Sequence, residues 1–326
     1  MLERIVVYKG LKVTINRGKL EQMEMGEAIE TTEKEYYSDF KGKAYYKFDE
    51  FKRKIEEAKL MKESTTEEFE GKIRYGGGHF VILQDDKKDK YAIFVVREKD
   101  ARRDPNMIDI AAGMGDTYYP IETMLRETCE EFLIYRKGSS NDINLEQIIP
   151  VVNGSQYNHY NEIIQQAART TSQICGEHSG ELFLTADSTV PSNPVKVKMS
   201  DGSVMECGVF FGNDSIEFTN TLIIHLNRQI AENDLILRDG ERIQSRCLDR
   251  KMLLVSIKEG ECISYEHGVI TWRGKLEKFL EKNFDKTKPI ATIKVTGIIK
   301  NWNKNWGKRG VLAELLKWNY GKTHPA

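Results

Sequence analysis

Charge of one sign is missing from this chain: 49 Lys and Arg stand against 50 Asp and Glu, a formal net charge of −1 over 326 residues. No whole-molecule field steers it toward nucleic acid or anionic lipid, so any basic site must be local. Cysteine is sparse and odd in number. The five residues (Cys129, Cys175, Cys207, Cys247, Cys262) include no Cys-x-x-Cys pair, which argues against a disulfide framework or zinc ribbon and for reduced thiols in a cytoplasm. Long apolar runs are absent: none approaches the roughly 18 to 20 residues of a membrane helix, and Lys9 interrupts the amino-terminal run before a signal-peptide core could form. Without a secretory route, Asn153-Gly-Ser155 and Asn213-Asp-Ser215 read as accidental sequons. Internal repeats and low-complexity segments are lacking too.

What is present is the composition of a folded globular protein, 40% hydrophobic and 30% charged, long enough for one large domain or two ordinary ones. Residues 4–8 and 11–15, β-branched runs around Lys9-Gly10, read as a hairpin. Phe48, Phe51, Ile55 and Ala58 lie at helical spacing after the cap candidate Asp49, and Lys62 to Gly71 reads as a connector. A boundary is expected near residue 70, giving an amino-terminal hairpin and charged helix over 1–70.

Beyond it, residues 78–83 and 91–96 are apolar runs of strand length joined by the polar turn Asp85-Asp-Lys-Lys-Asp89. A small-residue loop, Ile108-Asp-Ile-Ala-Ala-Gly, leads to Pro120, which opens a helical pattern from Ile121 to Tyr135. Further strands are expected at 147–152, 181–185, 195–199, 205–212 and 219–226, with a helix over 161–174. The fold class is α/β in the mixed, α+β sense.

The chemistry concentrates on the helix after Pro120, in Arg126-Glu127-Thr128-Cys129-Glu130-Glu131. Glu127, Glu130 and Glu131 are related by i, i+3 and i+4 and share a face, where three like charges repel. A hard divalent cation, Mg²⁺ or Mn²⁺ rather than zinc, would cancel the repulsion. Arg126 can pair with Glu130 at i+4. The opposite face (Ile121, Met124, Leu125, Thr128, Phe132, Leu133) would dock on a core. The alternative is a plain solvated acidic face.

This Arg-Glu-x-x-Glu-Glu, following two strands and a small-residue loop, resembles the helical half of the Nudix box. The family pattern is Gly, five residues, Glu, seven residues, then Arg-Glu-(apolar)-x-Glu-Glu-x-Gly-(apolar). Counted back from Arg126, its first Glu falls on Tyr118 and its first Gly on Ala112. The closing Gly falls on Leu133 and the inner apolar position on Thr128, so the loop half is degenerate, with Gly113 and Gly115 close by.

The resemblance implies a Nudix-like mixed sheet between helices over 71–275, with a basic, Trp-rich extension over 276–326. It implies Mg²⁺-dependent hydrolysis of a diphosphate linkage in a nucleoside-diphosphate-linked small molecule. Glu127, Glu130, Glu131 and the Ala111 carbonyl would hold metal, Glu130 would double as base, and Arg126 would position it. A further carboxylate would come from Glu206, Asp214 or Glu217, with Glu217 in the better loop context. Arg97, Arg102 and Arg103, on a loop facing the box, would meet substrate phosphate, or form a solvated basic loop. The departures at Ala112, Tyr118 and Leu133 motivate a second reading, a non-catalytic nucleotide-binding sensor.

Other features have plainer explanations. Gly76-Gly77-Gly78 would be a flexible entry to a strand rather than a nucleotide cradle, and no P-loop Gly-Lys-Ser/Thr follows. His178 and His225 show no metal-ligand spacing. Nothing in the sequence points to a Cys/His nucleophile pair. From Ala291 onward, seven basic residues stand against Glu314, interleaved with Trp302, Trp306, Trp318 and Tyr320. That mixture suits RNA, which would make the cleaved diphosphate a 5′ end. The favoured reading is a terminal helix, 310–318, whose Val311, Leu312, Leu315 and Trp318 pack on the core. The two ends of the chain would supply substrate selectivity or a homodimer contact, and no membrane partner is expected.

Overall fold

The structure, a computed structural model, describes residues 4–16, 19–32, 65–99, 101, 104–114, 120–137, 145–175, 180–190, 195–198, 204–211, 216–226, 234–240, 250–285, 287–292, 294–299, 312 and 315. The expected helix around residues 46–61 and most of the basic tail lie outside these. The fold is mixed α/β, with parallel and antiparallel strand pairs and several helices. Among the described residues no helix is long and apolar enough to cross a membrane. The chain forms two compact units, one of Met1–Gly78, Ala112–Met124 and Val190–Asn220, the other of His79–Ala111, Leu125–Thr189 and Thr221–Ala326.

In the first unit the strand Arg4–Asn16 lies between Lys19–Thr32 and the start of Thr65–Gln84, antiparallel to both. Val195–Lys198 runs parallel to Lys19–Thr32 and antiparallel to Val204–Phe211, which in turn pairs with the start of Ile216–His225. Two expectations are corrected here. Lys9-Gly10 is no turn: Ile5, Val7, Leu11, Val13 and Ile15 keep one parity across Gly10, and the pairing continues in register from Lys9↔Glu27 to Leu11↔Met25. Residues 65–71 are no connector either. Residues 65–69 pair with Leu11–Ile15, placing Glu68 opposite Lys12, and after a register shift 72–74 pair with Val7–Lys9, so the strand Thr65–Gln84 runs through residue 70.

The second unit holds two ladders. In one, Lys90–Val96 pairs with Ile82–Gln84 on one side and Lys251–Ser256 on the other, followed by Glu261–Glu266 and Val269–Lys275, all antiparallel. The tight turn after Gln84 is tied by the Asp85 carboxylate, which accepts from the backbone N–H groups of Lys87 and Asp89 at 2.9 Å each. Phe80, Phe94, Leu253, Tyr265 and Phe279 are buried in this unit's core.

In the other ladder Phe132–Lys137 lies between Leu235–Asp239 and Leu145–Val152, and the latter runs parallel to Gly180–Thr189. The parallel pair is joined by helix α2 (Asn158–Cys175), which makes a βαβ unit. The Asn161 side chain binds both the N–H and the carbonyl of Val152, and the Gln147 amide donates to the Ala168 carbonyl, fixing α2 on the strand below.

Helix α1 (Pro120–Glu131) begins at Pro120 as expected but stops at Glu131, and Phe132–Lys137 is a strand. The reason is tertiary. Phe132, Leu133, Ile134 and Tyr135 are all buried and have pairing partners in Leu235–Asp239, with Tyr135 also opposite Gln147. A strand bonded on both sides and covered on both faces suits four consecutive apolar residues, whatever their helical spacing.

Candidate active site

Helix α1 carries the acidic cluster. Thr123, Met124, Leu125, Thr128 and Cys129 are buried, while Arg126, Glu127 and Glu130 are only partly covered. Arg126 spreads its guanidinium over two carboxylates, donating to Glu130 Oε2 at 2.7 Å and to Glu127 Oε1 at 2.9 Å. The i+4 pairing expected from the sequence is present, and the same fork holds Glu127.

Glu131 is placed differently from its two neighbours. Its side chain is 7% exposed and its Oε1 lies 3.6 Å from the Arg250 guanidinium. Arg250 is itself buried on Asp239: Nε to Oδ2 at 2.5 Å, Nη2 to Oδ1 at 2.9 Å, and its backbone N–H to Oδ2 at 3.1 Å. Sequence reasoning missed Arg250, Asp239 and the adjacent Gly240. No local spacing could have found them, because they reach α1 only through the pairing of Leu235–Asp239 with Phe132–Lys137.

Thr128, at the position where the family pattern is apolar, is buried, and its hydroxyl lies 3.2 Å from Nδ1 of the fully buried His79. Cys129 is no nucleophile: burial, and then the neighbouring Glu130 charge, push its thiol up to about 12. Cys207 and Cys262 are likewise buried free thiols with raised pKa values, caused by burial.

Ala111, the proposed carbonyl donor, is fully buried and opens the short strand Ala111–Met114. Two residues earlier, Asp109 forms a hub. It accepts from Arg97 at 3.0 Å, Thr292 Oγ1 at 2.8 Å and the Ile110 N–H at 2.9 Å, and Lys294 lies 3.5 Å away. Burial alone would raise its pKa, but Lys294, Arg97 and the two hydrogen bonds prevail and hold the carboxyl below the usual carboxylate range. Arg97, expected on substrate phosphate, is therefore engaged with Asp109. Arg102 and Arg103 lie outside the described residues, as do Tyr118 and Asp214. The backbone around Ile108 is also tied to the C-terminal segment, since its N–H donates to the Ile290 carbonyl and its carbonyl accepts from the Thr292 N–H.

In the first unit Gly76 approaches the strand Ala111–Met114 closely: a Cβ on it would lie 2.7 Å from the Gly113 carbonyl oxygen and 3.9 Å from Glu217 Cδ. A Cβ on Gly77 would lie 2.8 Å from Met124 Cγ. These glycines sit inside a strand and are buried, so they serve close approach rather than a flexible entry. Glu217, expected in a loop, lies in the strand Ile216–His225 opposite Phe210, and Glu206 is exposed on Val204–Phe211. Elsewhere His225 Nε2 lies within hydrogen-bond distance of Asp187 Oδ2, at 2.6 Å. Among the described residues no three His, Cys, Asp or Glu side chains converge as a metal cluster. In the C-terminal region Leu312 and Leu315 are buried, and the rest of 310–318 lies outside the described residues.

No protein family and no curated protein matches the chain. Two solved structures are similar to part of it. One is a Nudix hydrolase from M. smegmatis, RenU, at 7% identity and TM-score 0.20, over 54% of this chain and 79% of that one. The other is a Nudix hydrolase from Alicyclobacillus acidocaldarius, at 16% identity and TM-score 0.23, over 53% of this chain and 83% of that one. Likeness at this level says nothing about activity, and function must be read from the side chains.

Proposed function

We propose that the chain hydrolyses a phosphoric anhydride in a nucleoside-diphosphate-linked compound, with Mg²⁺ or Mn²⁺ held on helix α1. The observation that carries this reading is the Arg126 fork, which keeps Glu127 and Glu130 together as partly exposed carboxylates. Carboxylate oxygens are the hard donors these cations take. Glu127 and Glu130 fit that requirement, whereas Glu131, buried on Arg250, does not. Bound there, the ion would neutralise charge on phosphoryl oxygens and ease deprotonation of a water. Arg126 orients both carboxylates, Glu130 accepts the proton of the attacking water, and the Ala111 carbonyl is an additional donor. Arg102 and Arg103 would take substrate phosphate through their planar forks.

The test is phosphorus NMR of the purified chain with a panel of nucleoside-diphosphate compounds, with and without Mg²⁺. The reading expects metal-dependent cleavage that Glu130→Gln abolishes in a folded protein. Cleavage retained in that variant, or unaffected by chelation, counts against it. The second reading, a nucleotide-binding module without turnover, is favoured by the guanidinium that already accompanies Glu131. It expects thermal stabilisation by a nucleoside diphosphate, insensitive to chelation and without cleavage.

A further inference from the structure

We infer that Arg250 is the resident counter-cation of Glu131, which makes this third carboxylate an anchor of helix α1 and leaves cation binding to Glu127 and Glu130. The second half rests on the reading of α1 as a cation-holding helix; the first half stands on geometry alone. Both side chains of the Glu131–Arg250 pair are 7% exposed, and Asp239 beneath them is fully buried. A carboxylate taken so far out of water needs a positive partner, and the guanidinium supplies one at 3.6 Å. That guanidinium is not free to swing aside, because two of its nitrogens and the Arg250 backbone N–H are bonded to Asp239.

The position in the helix gives the same answer independently. Helix α1 ends at Glu131 with no basic residue in its last turn, where the carbonyl ends of the backbone favour a cation. Arg250 brings the missing charge from another part of the chain. The segment carrying its partner is pressed onto the same turn, since a Cβ on Gly240 would lie 2.1 Å from the Glu130 carbonyl oxygen and 2.8 Å from Thr171 Cγ2. Arg250, Asp239 and Gly240 therefore fix the helix end one residue past Glu130. The carboxylates upstream remain on the Arg126 fork. Arg250 is thus a positioning residue, acting on the site through Glu131.

Thermal melts of the full chain and of Arg250→Met, Glu131→Gln and the double variant, each with chelator and with Mn²⁺ alone, test the pairing. Electron paramagnetic resonance of free Mn²⁺ reads the affinity. Arg250→Met is expected to lower Tm much less in the Glu131→Gln background than in the parent, and Mn²⁺ to raise Tm by a similar amount in every variant that keeps Glu127 and Glu130. Mn²⁺ affinity is expected to stay within about twofold in Glu131→Gln and to fall about tenfold or more in Glu127→Gln and Glu130→Gln. Additive melts, or Glu131→Gln weakening Mn²⁺ as much as Glu130→Gln does, would overturn the inference. If Arg250→Met does not fold, Arg250→Lys, which keeps charge without the fork, replaces it in the cycle under the same criterion. A parent chain with no Mn²⁺ affinity refutes the cation reading and the assignment of cation binding to Glu127 and Glu130, and the melts then decide the pairing alone.

Discussion

Glu130 and Glu131 are neighbours on one helix, yet their surroundings differ: Glu130 pairs with Arg126 and Glu131 is buried beside Arg250. Glu130, on the Arg126 fork and partly exposed, is the proposed base and cation ligand. Glu130→Gln keeps the shape and a hydrogen-bond acceptor but removes the charge, so turnover is expected to fall about a hundredfold or more, with Tm little changed. Arg126→Lys keeps the charge but cannot span Glu127 and Glu130 with a planar fork. A partial loss of kcat with near-native melting is expected in steady-state assays.

Asp109 makes a prediction about pH. Its folded pKa lies below the unfolded value of about 3.9, so its carboxylate adds stability above that value. That contribution is lost as pH falls through the folded pKa. Urea unfolding between about pH 3 and 7 should show the acid-side loss flattened in Asp109→Asn, which is also less stable at neutral pH. An unchanged acid-side slope would contradict the hub.

Among the elements, the two ends of helix α1 differ in how much the sequence reveals. The start is legible because Pro120 acts locally. The end is not, because Phe132–Tyr135 continue an apolar helical spacing and become strand only through partners far along the chain. The same division holds within the site. The Arg126–Glu130 pair follows from spacing, whereas Glu131 is assigned by Arg250, more than a hundred residues away. Lys9-Gly10 shows the opposite error, a glycine taken as punctuation although the alternation of apolar residues carried through it.

Close backbone approaches give a graded test of this packing. Gly240→Ala would force a Cβ against the Glu130 carbonyl oxygen at 2.1 Å, whereas Gly77→Ala meets the movable Met124 side chain at 2.8 Å. Gly240→Ala should destabilise by about 1 to 3 kcal/mol or more, and Gly77→Ala by less. Chemical denaturation of both variants checks the order, and equal losses would show that residues 239–240 are not tight against α1.

For the whole molecule, mixed α/β character and the order strand, turn, strand, helix were readable from local patterns, whereas the small-residue segment before the helix, expected as a loop, forms the short strands Ile108–Asp109 and Ala111–Met114. The pairing across the turn at residues 85–89 was readable as well, but which distant strands lie side by side was not, since pairings such as Val195–Lys198 with Lys19–Thr32 join segments with no sequence cue to each other. The near-zero net charge adds a functional expectation. Under the proposed function, substrate capture should depend on local arginines and a cation on helix α1 rather than on long-range steering, and kcat/KM should change little with moderate salt.

The most direct measurement is phosphorus NMR of the chain with nucleoside-diphosphate compounds in Mg²⁺, set beside Glu130→Gln. The account predicts cleavage of the phosphoric anhydride that disappears on chelation and in the variant. Cleavage that survives both, or none anywhere in the panel while a nucleotide still stabilises the fold, would contradict it.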